Sequence, residues 1–131
     1  VIHRWRDLLH AQRQRTPLDI DWHASWDGRQ PLQLPNGDTL ALVGAGALPS
    51  PVEVSARRGG ERITLPGRTH SHSLKHVVQT LGIPPWERTQ LPLLAESAGG
   101  PLIAVADLAY SAHFDAWLRE HNARLQWVRA A

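Results

Sequence analysis

An α+β fold is what these 131 residues predict, on three observations. Short alternating runs of strand formers are separated by turn residues, one segment repeats its apolar residues at helical spacing, and 42% of the chain is apolar, enough for a core. In chain order, Val1 to His10 is rich in strand formers and reads as a strand, with a helical alternative extended by Arg13 and Arg15. The segment from Trp22 to Leu34 reads as turn and short strand, and Asn36-Gly37 as a hairpin turn leading into a strand over Thr39 to Val43. Gly44 to Pro51 is the most linker-like stretch and reads as a loop inside a single domain spanning 1–131. No Lys-Ser/Thr follows its glycine pair, which argues against a nucleotide-phosphate loop.

Val52 and Val54 before Arg57-Arg58-Gly59-Gly60-Glu61-Arg62, and Ile63 and Leu65 after it, alternate like two strands flanking a tight turn. Leu74, Val77, Val78 and Leu81 then fall at i, i+3, i+4 and i+7, one apolar stripe of an amphipathic helix. Ser71 or Ser73 can cap its start, Gly82 can take the left-handed position past its end, and Pro84-Pro85 forbid continuation. Leu91 to Ala95 and Leu102 to Ala106 read as a hairpin around Ser97-Ala98-Gly99-Gly100. Phe114 to His121 reads as a helix anchored by Trp117 and Leu118, with Arg119, Glu120 and His121 facing water, and Leu125 to Val128 as a last strand. Trp5, Trp86 and Trp127 are expected to fill core gaps.

Fourteen basic and twelve acidic residues leave a net charge of only +2, but the charge is unevenly placed. Between Ser55 and Gln90, six basic residues face Glu61 and Glu87 alone, a local +4; the rest of the chain carries −2. A contiguous positive stretch of this kind suits a phosphate backbone, and thirteen of the fourteen cations are arginines, whose planar fork grips phosphate bidentately. Opposite the apolar stripe of the predicted helix, His72, Lys75, His76 and Gln79 form a cationic, hydrogen-bonding edge. The expected RNA contacts are Arg57, Arg58, Arg62, Arg68 and Lys75, followed by His70, His72 and Arg88. Arg88 has a competing structural use, pairing with Glu87 or capping carbonyls of its own turn.

His70, His72 and His76 could in principle hold a metal, but no cysteine and no close carboxylate supports such a site, and the expectation is that there is none. Imidazoles also contact RNA by stacking and by hydrogen bonds to phosphate, more strongly below the reference imidazole pKa of about 6.5. The lack of cysteine excludes disulfides and a thiol nucleophile. No apolar run reaches the roughly 18 to 20 residues of a membrane span, and no leader pattern opens the chain, so a soluble protein with no membrane partner is expected. With no methionine and Val1 at its start, the chain reads as an excised part of a longer enzyme.

The run from Ser73 through the double proline to Trp86-Glu87-Arg88 and on to Leu91-Pro92-Leu93-Leu94 resembles the C-terminal signature of bacterial tRNA(Ile)-lysidine synthetases. Arg57-Arg58-Gly59-Gly60-Glu61 is similar to the family's Arg-x-Gly-Gly-Glu stretch. His3, Arg4, Arg6, Asp7, Leu9 and His10 resemble its opening strand, with histidine in place of an aromatic at both ends. Trp26-Asp27-Gly28 and Leu32-x-Leu34-Pro35-Asn36-Gly37 resemble its next segments. The resemblance implies a C-terminal domain built as a β-sandwich of unusual topology with a packed helix, similar to a module of the β chain of phenylalanyl-tRNA synthetase. It also implies tRNA docking, at the acceptor stem, by an enzyme that uses ATP to join lysine to the wobble cytidine of an isoleucine tRNA with a CAU anticodon. ATP and Mg2+ would serve the full-length cytoplasmic ligase. This chain has no Ser-Gly-Gly-x-Asp-Ser loop and is expected to hold no cofactor and to be non-catalytic alone. The alternative is a protein-interaction or dimerisation module without RNA contact; a homodimer is compatible with either reading.

Overall fold

A computed structural model describes residues 2–5, 8–11 and 18–129, the first two segments by their backbone alone. Arg6, Asp7, Arg13, Arg15 and the side chain of Trp5 lie outside the described residues. Where one opening strand is predicted, β1 (Ile2–Trp5) and β2 (Leu8–Ala11) pair as an antiparallel hairpin.

The elements that follow are β3 (His23–Trp26), β4 (Leu32–Gln33), β5 (Thr39–Val43), β6 (Val52–Ser55), β7 (Arg62–Ile63) and β8 (His72–Ser73). Next come α1 (Leu74–Thr80), α2 (Pro85–Arg88), β9 (Leu93–Ala95), β10 (Leu102–Val105), β11 (Ala109–Tyr110), α3 (Ala112–Glu120) and β12 (Arg124–Val128). Among the described residues the two larger sheets have the orders β11-β10-β9-β6-β3 and β12-β5-β4, and every pairing is antiparallel. Both sheets feed one apolar cluster: Val54, Leu93 and Leu94 enter from the first, Leu40, Leu125 and Trp127 from the second, and Phe114 and Leu118 from α3. This is the α+β architecture of antiparallel sheets and few helices that the residue pattern predicts.

Local chemistry explains most boundaries. Asn36-Gly37 turns the chain, with Gly37 at φ 93°, so that Leu32 and Gln33 face Leu40 and Thr39. The residue after the turn, Asp38, is fully buried and its carboxylate accepts the indole N–H of Trp127 at 3.0 Å, tying β12 to that turn. The predicted hairpin after Pro92 is present as β9 and β10, with a register shift between Leu102 and Ala104. Helix α3 begins two residues before the predicted Phe114 because Ser111 caps it, its hydroxyl accepting from the Phe114 N–H. Phe114 and Leu118 are its buried anchors; Trp117 is only half-buried, stacked between Phe114 and His121.

Two expectations are corrected. Strands β6 and β7 do not pair: β6 already has β3 on one edge and β9 on the other, so no edge remains for β7, which pairs instead with β8. And Leu81 leaves the apolar stripe. The helix ends at Thr80 in a Schellman turn, with Gly82 at φ 71° donating to the Gln79 carbonyl and Ile83 to that of Val78, so Ile83 takes the core position and Leu81 is left 47% exposed. Ser73 is the cap, its hydroxyl accepting from the His76 N–H at 3.2 Å. Replacing Ser73 by alanine is expected to lower the unfolding free energy by about 1 kcal/mol, measurable in urea, whereas Ser71→Ala should leave the helix start intact.

Candidate nucleic-acid interface

The basic stretch folds into one local unit. Its first part is the loop between β6 and β7, closed by the Glu61 carboxylate, which accepts the backbone N–H of Arg58 at 2.7 Å and of Gly59 at 2.9 Å. The Glu61 carbonyl in turn accepts from Leu74 N–H, so the loop is pinned to the first residue of α1. Arg57 is half-buried at the loop's start, and Arg58 is exposed, its Nε donating to the Ile20 carbonyl at 2.9 Å.

Beyond the loop, Arg62 lies across the β7–β8 pair from Ser73; its Nε donates to the Ser71 hydroxyl and its Nη2 to the Ser71 carbonyl, while the residue stays exposed. Arg68 and His70 are exposed in the connection from β7 to β8, and Lys75 is exposed in the first turn of α1. His72, half-buried, stacks on His76 with ring centres 5.9 Å apart and planes 29° from parallel. These two imidazoles and Arg68 border a recess of about 170 Å3 floored by Leu65, Val77 and Leu81. Ala109 also lines it, and the neighbouring Tyr110 is held neutral at ordinary pH. Burial raises its phenol above the usual value of 10, against a smaller lowering by a hydrogen bond to the Leu125 backbone.

Seven of the eight predicted contact residues, from Arg57 to Lys75, therefore belong to one loop–strand–helix unit. Arg88 has the structural use foreseen for it: its Nε donates to the Ile83 carbonyl at 2.8 Å, clamping the double-proline turn, while Glu87 pairs with Arg129 instead. Trp86 is half-buried beside it. His76 and Leu81, absent from the predicted contacts, are the residues the fold adds. The four-residue spacing of His72 and His76 was a visible signal for the first, whereas nothing in the sequence marks Leu81 as a surface residue.

Charge pairing differs between this unit and most of the four described arginines outside it, Arg124 being the one of those four that also has no ion pair among the described residues. Among the described residues none of the eight contact candidates takes part in an ion pair, whereas Arg29, Arg119 and Arg129 meet Asp27, Asp115 and Glu87 at 3.8, 2.9 and 3.4 Å. Both carboxylates of the basic window are committed elsewhere, Glu61 to backbone amides and Glu87 to β12's neighbour Arg129. Among the described residues the local positive charge is thus left uncompensated by direct ion pairing. Among the described residues no three His, Cys, Asp or Glu side chains converge as a metal site, and no helix is long and apolar enough to cross a membrane.

Fold and site together define a class: a small antiparallel α+β module that presents, on one loop–strand–helix unit, cations without an ion-pair partner among the described residues. Residues 52–127, more than half of the chain, match the family described as TilS substrate C-terminal domain, and the chain belongs to that family. It is 50% identical over 132 residues to the tRNA(Ile)-lysidine synthase of Xanthomonas axonopodis pv. citri (strain 306), an alignment covering 99% of this chain and 30% of that protein. The tRNA(Ile)-lysidine synthase of Xylella fastidiosa (strain Temecula1 / ATCC 700964) is 45% identical over 131 residues, covering 96% of this chain and again 30% of the relative. The chain thus spans about a third of the length of these curated relatives. A solved structure described as the TilS C-terminal domain superposes with a TM-score of 0.59, covering 84% of this chain and 99% of that one; at 23% identity it supports the fold.

Proposed function

We propose that this chain is the tRNA-docking domain of a tRNA(Ile)-lysidine synthase, and that it holds tRNA through the cations of residues 57–75 without performing chemistry itself. The observation that carries the reading is the absence, among the described residues, of any ion pair to these cations, while three of the four described arginines elsewhere, Arg29, Arg119 and Arg129, each meet a carboxylate. Arg57, Arg58, Arg62, Arg68 and Lys75 are the phosphate contacts, with His70 and His72 beside them; Arg88 acts mainly through the turn it clamps. A side chain cannot readily enter the deep groove of an RNA helix, so such a surface reads backbone and shape, which suits an acceptor stem. The curated relatives are named for tRNA(Ile), and the partner proposed here is an isoleucine tRNA with a CAU anticodon, in the cytoplasm. ATP and Mg2+ are assigned to the remainder of the longer ligase.

Binding of tRNA measured by fluorescence anisotropy between 50 and 200 mM salt is expected to weaken steeply, with a log–log slope of roughly −3 to −5 for five phosphate contacts. A flat salt dependence would favour the protein-interaction reading instead, since an apolar interface tolerates salt. Incubating the chain with ATP, lysine and tRNA is expected to yield no lysidine by nucleoside mass spectrometry; product would overturn the non-catalytic assignment.

A further inference from the structure

The recess beside α1 has a composition that phosphate docking does not require. Its floor is apolar, and Leu81, forced outward by the Schellman turn, is 47% exposed there rather than buried. The stacked rings of His72 and His76 supply a π surface at its side, Arg68 supplies a cation at its edge, and no carboxylate of the described residues lines it. At about 170 Å3 it is well below the roughly 300–1,000 Å3 of pockets that enclose a drug-sized ligand or a whole cofactor, but it has room for one flat ring system.

We propose that this recess receives a single unpaired nucleobase of the bound RNA, its face against Leu81 and the imidazoles and its adjoining phosphate on Arg68. The assignment rests on the docking reading above and names the part of the RNA that the same unit would select. Bases within a duplex are stacked and paired, so an apolar, π-bordered recess can engage only one at an end, bulge or loop, where aromatic and imidazole rings commonly replace the lost stacking. Charge favours RNA over an apolar peptide as the occupant: the cation at the rim and those flanking it lack ion-pair partners among the described residues. A phosphate chain would supply those partners and an apolar peptide would not.

Three RNAs sharing one hairpin stem test it with the wild-type chain: a blunt stem, the stem with a short single-stranded 3′ overhang, and the same overhang made abasic. The overhang is expected to improve affinity about tenfold over the blunt stem, within the range of stacking one base on an aromatic ring. The abasic form should fall back to the blunt value. His76→Ala and Leu81→Asn, both at exposed positions, should bring the ratio of overhang to blunt affinity close to one. Equal wild-type affinity for blunt and overhang stems, with steep salt dependence, would overturn the base recess and leave docking standing. An abasic overhang that binds as well as the intact one would reassign the gain to phosphates and overturn it too. Free AMP binding as tightly as the overhang would make this a mononucleotide site and overturn the RNA assignment. Salt-insensitive or absent binding of all three RNAs would defeat the docking reading and this inference with it.

Discussion

Exchanging Arg57, Arg68 and Lys75 together for glutamine is expected to weaken tRNA binding roughly a hundredfold at 0.1 M salt and to flatten the log–log salt dependence by about 2 to 3 units. The size follows from counterion release. Each phosphate neutralised contributes about 0.7 to 0.9 to the slope, and 0.1 M lies one decade below 1 M, so three contacts are worth slightly more than two orders of magnitude. These three residues are the ones to change because, among the described residues, their side chains make no hydrogen bond or ion pair that the fold depends on. The melting temperature should therefore hold while affinity falls. Arg29→Gln removes a cation that already sits 3.8 Å from Asp27, and its effect on the slope should be far smaller. An unchanged slope in the triple variant, measured on folded protein, would remove these residues from the interface.

The largest effect on stability is expected at Gly44. It stands just past β5 with φ 95°, where the chain passes under the turn that links α3 to β12, and a Cβ built there would lie 2.3 Å from the Asn122 carbonyl oxygen and 3.0 Å from the Ala123 Cα. Both neighbours are backbone, so neither can swing aside. Gly44→Ala combines a left-handed strain of about 1 to 2 kcal/mol with a contact that only separation of β5 from the turn can relieve. A loss of about 3 kcal/mol or more is expected, near 10 °C in Tm for a domain of this size. Gly60→Ala is the control: it too has positive φ, at 78°, but its added Cβ meets nothing within 4 Å, so only the backbone strain of about 1 to 2 kcal/mol applies. Equal costs at the two positions, read from urea unfolding, would contradict the close approach at Gly44.

Local chemistry made much of the molecule readable in advance. The stripe of Leu74, Val77 and Val78, the Ser73 cap and the Gly82 stop are encoded within a dozen residues, because helix boundaries depend on side chains and φ preferences close in sequence. The Asn36-Gly37 turn and the β9–β10 hairpin are legible for the same reason. The candidate site was legible as charge, since the clustering of Arg57 to Lys75 is a property of the string itself. Strand partnership was not. Alternation at Val52, Val54, Ile63 and Leu65 reports that each run is half-buried but carries no information about which edge it meets, and β6 is enclosed by β3 and β9, whose residues lie some 30 to 40 positions away.

The sequence by itself determined an α+β chain with a capped basic helix and a positive stretch concentrated in one third of its length, because these follow from residue spacing and from charges that can be counted. Only the tertiary structure decided which cations lack an ion-pair partner among the described residues, that Arg88 clamps its own turn, and that Leu81 meets His72 and His76 around a recess. Ion pairs, carbonyl contacts and cavities depend on distances between groups, and those distances exist only after distant segments have packed.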